Sequence, residues 1–328
     1  MQQSESRVYV FDNLKAILVT LVVFGHILEP LLPDSLPRIL YVFIYMFHMP
    51  LFIFCLGYFA KYNPRKLLTR LIAPYLTFQV LYILFERVVM GNRHLPIQFT
   101  TPNWIMWYLL AATVWISCIP LLDILIATRR GTWLTISISL LIGLVSGFEH
   151  TLGYYMSLAR IIYFFPFFII GYCVKKSVTA EQLLQFLSKR TIRWTSGALT
   201  ACIGLWLVFH YQSVNSLWFF GAFSYGLAGY TLLVRLLCYL AALVISLFVL
   251  SVTPRKQLFF SYIGTRTLQV FLLHGFVMRL LIRYNVFLYT QNVFVLFLAS
   301  VLIVAALSAN PLAGLRKVKQ KEKLTEGV

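Results

Sequence analysis

Apolar runs of about 20 residues, the length that crosses a bilayer as a helix, recur along almost the whole chain and are separated by short polar connections. They predict ten membrane-spanning helices, at 8–30, 37–60, 71–90, 103–127, 133–148, 158–175, 194–212, 225–252, 257–281 and 286–308. The fifth run is short and the eighth is long. No linker rich in Gly, Ser or Pro, no repeat and no low-complexity tract interrupts the pattern. The longest polar segment, 176–193, contains Ala180-Glu181-Gln182-Leu183-Leu184-Gln185-Phe186-Leu187. That alternation predicts a short amphipathic helix lying in the membrane interface. The expected fold is an all-α polytopic helix bundle, with a single transmembrane domain over 1–315 and a basic tail over 316–328. Any chemistry falls to the bundle itself.

Composition supports this reading. Hydrophobic residues make up 60% of the chain and charged residues 12%, and the mean hydropathy is +0.81. A soluble domain has no use for so much apolar surface. The first run is long enough to span and no small-residue cleavage site follows it, which excludes a cleavable signal peptide. The net charge of +18 would suggest nucleic acid in a soluble protein. Here its placement matters more. Arg7, the cluster Lys61, Arg65, Lys66 and Arg70, the pair Arg129 and Arg130, the group from Lys175 to Arg193, the pair Arg255 and Lys256, and the tail from Arg316 to Lys323 alternate regularly with the runs. Few basic residues fall in the opposite connections. The positive-inside rule then puts both termini in the cytoplasm. The partner this charge implies is a lipid bilayer, with no nucleic acid. Cys55, Cys118, Cys173, Cys202 and Cys238 all sit in apolar runs without C-x-x-C spacing, so they read as small buried hydrophobes.

Within the apolar runs, the ionisable residues need an explanation, because such groups are costly in a membrane and are usually kept for function. The first run carries Asp12, Lys15 and His26. Asp12 and Lys15 are helix neighbours at i, i+3. Lys15 and His26 are eleven residues apart, nearly three whole turns, so they share a face about 16 Å apart along the axis. Asp12 lies too far below His26 to touch it. Glu29, three residues beyond His26, is placed to orient its ring. His48 precedes Pro50, which breaks the backbone ladder of the second run; it is either a packed, hydrogen-bonded histidine or one lining a wet cavity. Arg65, Lys66 and Arg70 are either ordinary cytoplasmic charge or a phosphate clamp, since Arg binds phosphate oxygens bidentately. Trp104 and Trp107 suit an aromatic belt. Arg160 is a snorkelling anchor or a cavity cation. His274 lies deep in the ninth run with Arg279 beyond it. Arg235 and Arg266 each require a buried partner or water, Asp123 being a candidate partner by charge. No histidine spacing supports a metal site, and no phosphate loop or nucleophile elbow occurs.

Taken in order, these pieces resemble the integral-membrane acyltransferase-3 family, in its fucose 4-O-acetylase-like branch. The similarity covers nearly the whole chain. Phe11-Asp12-Asn13-Leu14-Lys15 through Phe24-Gly25-His26 carries it most strongly. Phe47-His48-Met49-Pro50-Leu51-Phe52, Arg70-Leu71-Ile72-Ala73-Pro74-Tyr75, Trp107-Tyr108-Leu109-Leu110, Phe165-Pro166-Phe167-Phe168 and Gly264-Thr265-Arg266-Thr267 through His274 support it. Lys15 stands where many members have Arg, and Leu67 where an R-x-x-R pair would begin. The resemblance implies an acyl-CoA-dependent enzyme of the cell membrane, bacterial in type. It would move an acetyl group from acetyl-CoA, as co-substrate, to a hydroxyl of a glycan or glycolipid acceptor. It also implies His26 as general base, assisted by Lys15, Asp12 and Glu29. CoA phosphates would lie at Arg65, Lys66 and Arg70, and the substrate pocket would include His48, Trp107, Arg160 and His274. Imidazole titrates near neutral pH and suits the role of base. Two rivals remain open: a glycan or lipid flippase of the same bundle class, and a sensor that keeps the fold without catalysis. No similarity between halves, which many transporters show, is present here.

Overall fold

The N-terminal helix pair explains how the molecule is organised. In the computed structural model, which describes residues 8–309, α1 (Tyr9–Leu28) runs through a 3-10 turn at Glu29–Leu31 and returns as α2 (Ser35–Phe59). Asn63 caps a short α3 (Pro64–Leu67), which passes through a π-helical turn at Leu68–Ile72 into α4 (Ala73–Val88). Then come α5 (Trp107–Ser117), α6 (Ile119–Leu125), α7 (Arg129–Val145), α8 (Leu158–Ser177), α9 (Ala180–Ser188), α10 (Arg190–His210), α11 (Tyr225–Ala228), α12 (Leu232–Val252), α13 (Thr267–Arg283) and α14 (Val293–Ser308). No strand occurs among the described residues. The helical bundle read from the sequence is the architecture observed. The charge expected at Arg7 and in the tail lies outside the described residues.

Among the described residues, seven helices are long and apolar enough to cross a membrane. An eighth crossing arises if α5 and α6, bent by 46° just before Pro120, form one span. Val293–Ser308 is apolar but shorter. Three expected runs begin later than the hydropathy suggests, two of them because a capping residue restarts the helix. Gly229, at φ +63°, ends α11, and the Thr231 hydroxyl accepts the Val234 amide to start α12. The stretch before α13 forms loop and a 3-10 turn at Ile263–Thr265 instead of helix. Asn292 caps α14. The short helix expected within 176–193 is α9, opened by a Thr179–Gln182 capping box. α2 remains helical through Pro50, because proline removes only one rung of the ladder.

α1 sits at the centre. Leu14, Leu18, Val23, Ile27 and Leu28 are essentially inaccessible, enclosed by α2, α13, α14 and the 263–265 turn. Asn13 fixes its start: the side-chain amide donates to the carbonyls of Pro254 (2.8 Å) and Lys256 (2.9 Å) and accepts from the Ser261 hydroxyl. A Cβ on Gly264 would overlap the Asp12 carbonyl, so only glycine lets that turn approach α1. α2 crosses α8 with equal closeness, Gly57 against the Phe168 carbonyl and Gly171 against that of Phe54. Small residues at such crossings are how membrane helices pack without a hydrophobic drive. The outer helices α4, α7, α10 and α12 turn Leu84, Trp133, Leu205 and Leu237 outward, where lipid chains would meet them. Cys202, expected to be buried, lies on that outward face of α10.

The charges within the apolar runs find partners that the sequence did not assign. Asp123 accepts from the Tyr172 hydroxyl (2.6 Å) and pairs with Lys176 (2.9 Å). It therefore serves neither Arg235 nor Arg266. Arg235 donates to the Tyr230 hydroxyl and to the carbonyls of Gly143 and Phe223, with Tyr163 and Tyr225 also against its guanidinium. Arg266 donates to the Ser308 carbonyl. Replacing Arg235 by Leu is expected to remove its charge-assisted hydrogen bonds to the Tyr230 hydroxyl and to the Gly143 and Phe223 carbonyls, each worth about 1.5–3 kcal/mol. The check is a lower melting temperature in detergent than for the same change at exposed Arg283.

Candidate functional site

Two cavities lie end to end along α1. The outer one, of about 250 Å³, is lined by His26, Glu29, Tyr45, His48, Trp107 and Arg160, among others. The inner one, of about 280 Å³, is lined by Lys15, Cys55, Phe59, Arg70, Tyr108 and Thr267, among others. Val22, Met49 and Phe271 belong to both walls. Helical spacing explains why one path serves both. Lys15, Val19, Val22, His26 and Glu29 follow a 3- and 4-residue spacing on one face of α1. Tyr41, Tyr45, His48, Phe52, Cys55 and Phe59 do the same on α2. The two stripes face each other along the path.

At the outer end His26 is 14% exposed in its side chain. Its Nδ1 lies 3.4 Å from Oε2 of Glu29 and 3.5 Å from the Tyr45 hydroxyl. With an Nδ1–H pointing to those oxygens, Nε2 carries the free lone pair. The ring meets the edge of Trp104 at 4.6 Å and stacks at 5.5 Å on His274. His274 is fully buried, donates Nδ1–H to the Val270 carbonyl (3.0 Å) and has no hydrogen-bond partner at Nε2. It supports the His26 ring from behind and is not part of either cavity wall described above. His48 donates Nδ1–H to the Ile44 carbonyl (2.8 Å), and its ring edge contacts Tyr45 at 4.7 Å.

Trp104 links this corner to a second charged pair. Its backbone sits at φ +36°, in the left-handed region that is costly for a bulky side chain. The Arg279 guanidinium lies over its indole at 4.8 Å, and Arg279 Nε pairs with Glu86 Oε1 at 2.8 Å. Neither Glu86 nor Tyr45 was picked out from sequence. The signal for Glu86 was an acid inside an apolar run with an unmatched Arg279 in another. For Tyr45 it was the i, i+3 spacing to His48.

At the inner end Lys15 Nζ pairs with Asp12 (3.1 Å) and lies 5.5 Å from the centre of the Phe59 ring. Arg70 projects from the π-helical turn into the same cavity. Arg65 and Lys66 stay exposed on the preceding turn, outside the described lining. Of the three basic residues singled out there, the fold therefore brings only Arg70 to Lys15. Asp12 stays with Lys15, a full cavity away from His26.

Two comparisons return nothing: no curated protein and no solved structure matches the chain. A model of the acyltransferase-3 family, described as an acyltransferase domain, matches residues 8–309, the whole of the described structure.

Proposed function

The chain belongs to the acyltransferase-3 family and is a membrane protein, and from that premise we propose that it moves an acetyl group from cytoplasmic acetyl-CoA to a hydroxyl of a cell-surface glycan or glycolipid. The observation that carries this reading is the double cavity. One mouth is basic, the other holds an oriented histidine, and Val22, Met49 and Phe271 stand between them. A donor with a phosphorylated end and a thin reactive arm fits that order. Arg70 meets the phosphates at the inner mouth, with Arg65 and Lys66 adding charge outside it. Lys15, held by Asp12, steadies the arm. The thioester reaches past Val22 and Met49 towards His26.

The chemistry then follows from the geometry at His26. The acceptor hydroxyl gives its proton to Nε2 as its oxygen attacks the thioester carbonyl. The new C–O bond forms, the C–S bond breaks, and the imidazolium returns the proton to the departing sulfur. Glu29 and Tyr45 at Nδ1 keep the ring turned and stabilise the charge it acquires. The reading is tested by incubating the purified protein with labelled acetyl-CoA and a membrane glycan extract. Label in the glycan fraction supports it. No label there and no thioester hydrolysis, together with glycolipid movement in vesicles, would replace it with the transporter reading.

Two further results are expected. Replacing Arg70 by Ala should raise the acetyl-CoA KM about tenfold with little change in kcat, because a phosphate contact far from the reacting atoms is shared by ground and transition states. Lost turnover at an unchanged KM would remove Arg70 from donor binding. For a bacterial plasma-membrane orientation with both termini inside, a reporter after Val328 should read cytoplasmic and one in the loop at His150 extracytoplasmic. Two reporters on the same side would exclude it.

A further inference from the structure

Among the described residues, the guanidinium of Arg160 has no acid of its own. Arg160 opens the third residue of α8 at the outer end of the bundle, where a default arginine would snorkel its charge into water. Here it turns inward instead and lines the outer cavity with His26. Its face is covered by Tyr154 at 4.8 Å and Trp107 at 5.2 Å. Its Nε donates to the Phe220 carbonyl at 3.3 Å. Among the described residues no carboxylate forms an ion pair with it. The acids elsewhere in the bundle are otherwise engaged: Glu86 with Arg279, Asp123 with Lys176 and Asp12 with Lys15. Glu29, the acid in the same cavity, sits at His26 Nδ1. A cation taken out of water without an opposite charge is costly, and the aromatic faces return only part of that cost. Tyr154 also hydrogen-bonds the guanidinium, but neither it nor the Phe220 carbonyl supplies the negative charge of the carboxylate or phosphate oxygen pair that the fork matches.

We propose that Arg160 is a specificity-determining residue that binds an anionic group, a carboxylate or phosphate, on the acceptor, so that the enzyme modifies an acidic glycan. The proposal rests on the reading of the outer cavity as the acceptor side. Two anchors then fix the acceptor: the oxyanion at Arg160 and the reacting hydroxyl at His26 Nε2.

The test uses the full-length protein in detergent, with tryptophan fluorescence as the readout because Trp104 and Trp107 line the cavity. Three probes are titrated without donor: glucuronate, glucose 6-phosphate and methyl glucoside. The expected result is saturable binding of at least one of the anionic sugars, weakened about tenfold or more in Arg160→Gln and by a smaller factor in Arg160→Lys, which keeps the charge and loses the fork. The glucuronate and glucose 6-phosphate arms separate carboxylate from phosphate recognition. Methyl glucoside should bind weakly and equally in all three proteins. Unaltered acetyl-CoA binding reports that the variants are folded. Binding of the anionic sugars no tighter than methyl glucoside, or anionic binding that survives Arg160→Gln, would overturn the proposal. The transferase reading is judged separately. Labelled acetyl transfer to neutral glycans that is indifferent to Arg160→Gln keeps the enzyme and removes this subsite. Arg160-dependent anion binding without any acetyl transfer keeps the subsite and removes the enzyme.

Discussion

Replacing His26 by Gln is expected to lower acetyl transfer by at least about a hundredfold while leaving acetyl-CoA binding nearly intact. General-base catalysis contributes about 10²- to 10⁴-fold, and Gln retains most of the volume and hydrogen bonding of the ring but takes no proton from a hydroxyl. The surroundings make this a clean comparison. Glu29 and Tyr45 lie at Nδ1, and a glutamine amide can satisfy either. Trp104 and His274 would keep their packing against a side chain of similar size. Donor binding should persist because Lys15 and Arg70 line the other cavity, beyond Val22 and Met49. The measurement is single-turnover transfer of labelled acetyl, with donor affinity from equilibrium binding on the same preparation. Near wild-type transfer would remove His26 from the chemistry. Loss of donor binding together with transfer would place it in the donor path. Glu29→Gln is a graded companion: it keeps a hydrogen-bond acceptor for Nδ1–H and loses only the charge, so its loss should be well below that of His26→Gln.

The class of the protein was legible because hydropathy reports directly on what each helix touches. The bundle needs apolar spans, and the apolar spans are there to be read. The boundaries were less legible, because single residues decide them: Gly229 and Thr231 restart a helix inside a run that is apolar throughout, and the turn at Ile263–Thr265 exists to dock on α1. The site was legible along one helix at a time. Lys15 and His26 share a face by spacing alone, and the structure adds Val19 and Val22 between them as the floor of the path. What spacing along one helix does not tell is which helix will stand opposite. Asp123 had charge in common with several partners, and only the packing of α6 beside α8 selects Lys176. Arg279 had no visible partner, and Glu86 drew no notice, until α4 and α13 met. Arg65 and Lys66 belonged with Arg70 in sequence, but one helical turn sends them outward.

The meeting of α2 and α8 sets the second large effect. Gly171→Ala adds one methyl group, yet it is expected to cost at least about 3 kcal/mol, the upper end of what overpacking usually does. The reason is what the methyl meets. At Gly171 the new Cβ would overlap the Phe54 carbonyl and press on the Tyr58 amide. Both are backbone atoms of α2 and cannot rotate away as a side chain would. The two helices have to separate, and Gly57 on the partner helix holds the same closeness from the other side. Separation also spreads the outer cavity, because α2 carries Tyr45 and His48 while α8 carries Arg160 and Phe164. Transfer activity should therefore fall in the fraction that still folds. Gly204→Ala in α10 is the matched control. Its Cβ would find only the Phe43 ring, at 3.8 Å, an ordinary contact, and exchanging Gly for Ala inside a helix gains about 1 kcal/mol of propensity. Thermal melting of the two variants in the same detergent checks the contrast. Gly171→Ala should melt several degrees below the wild type and Gly204→Ala at or above it. Equal melting temperatures would mean that the α2–α8 crossing is looser than these backbone contacts require.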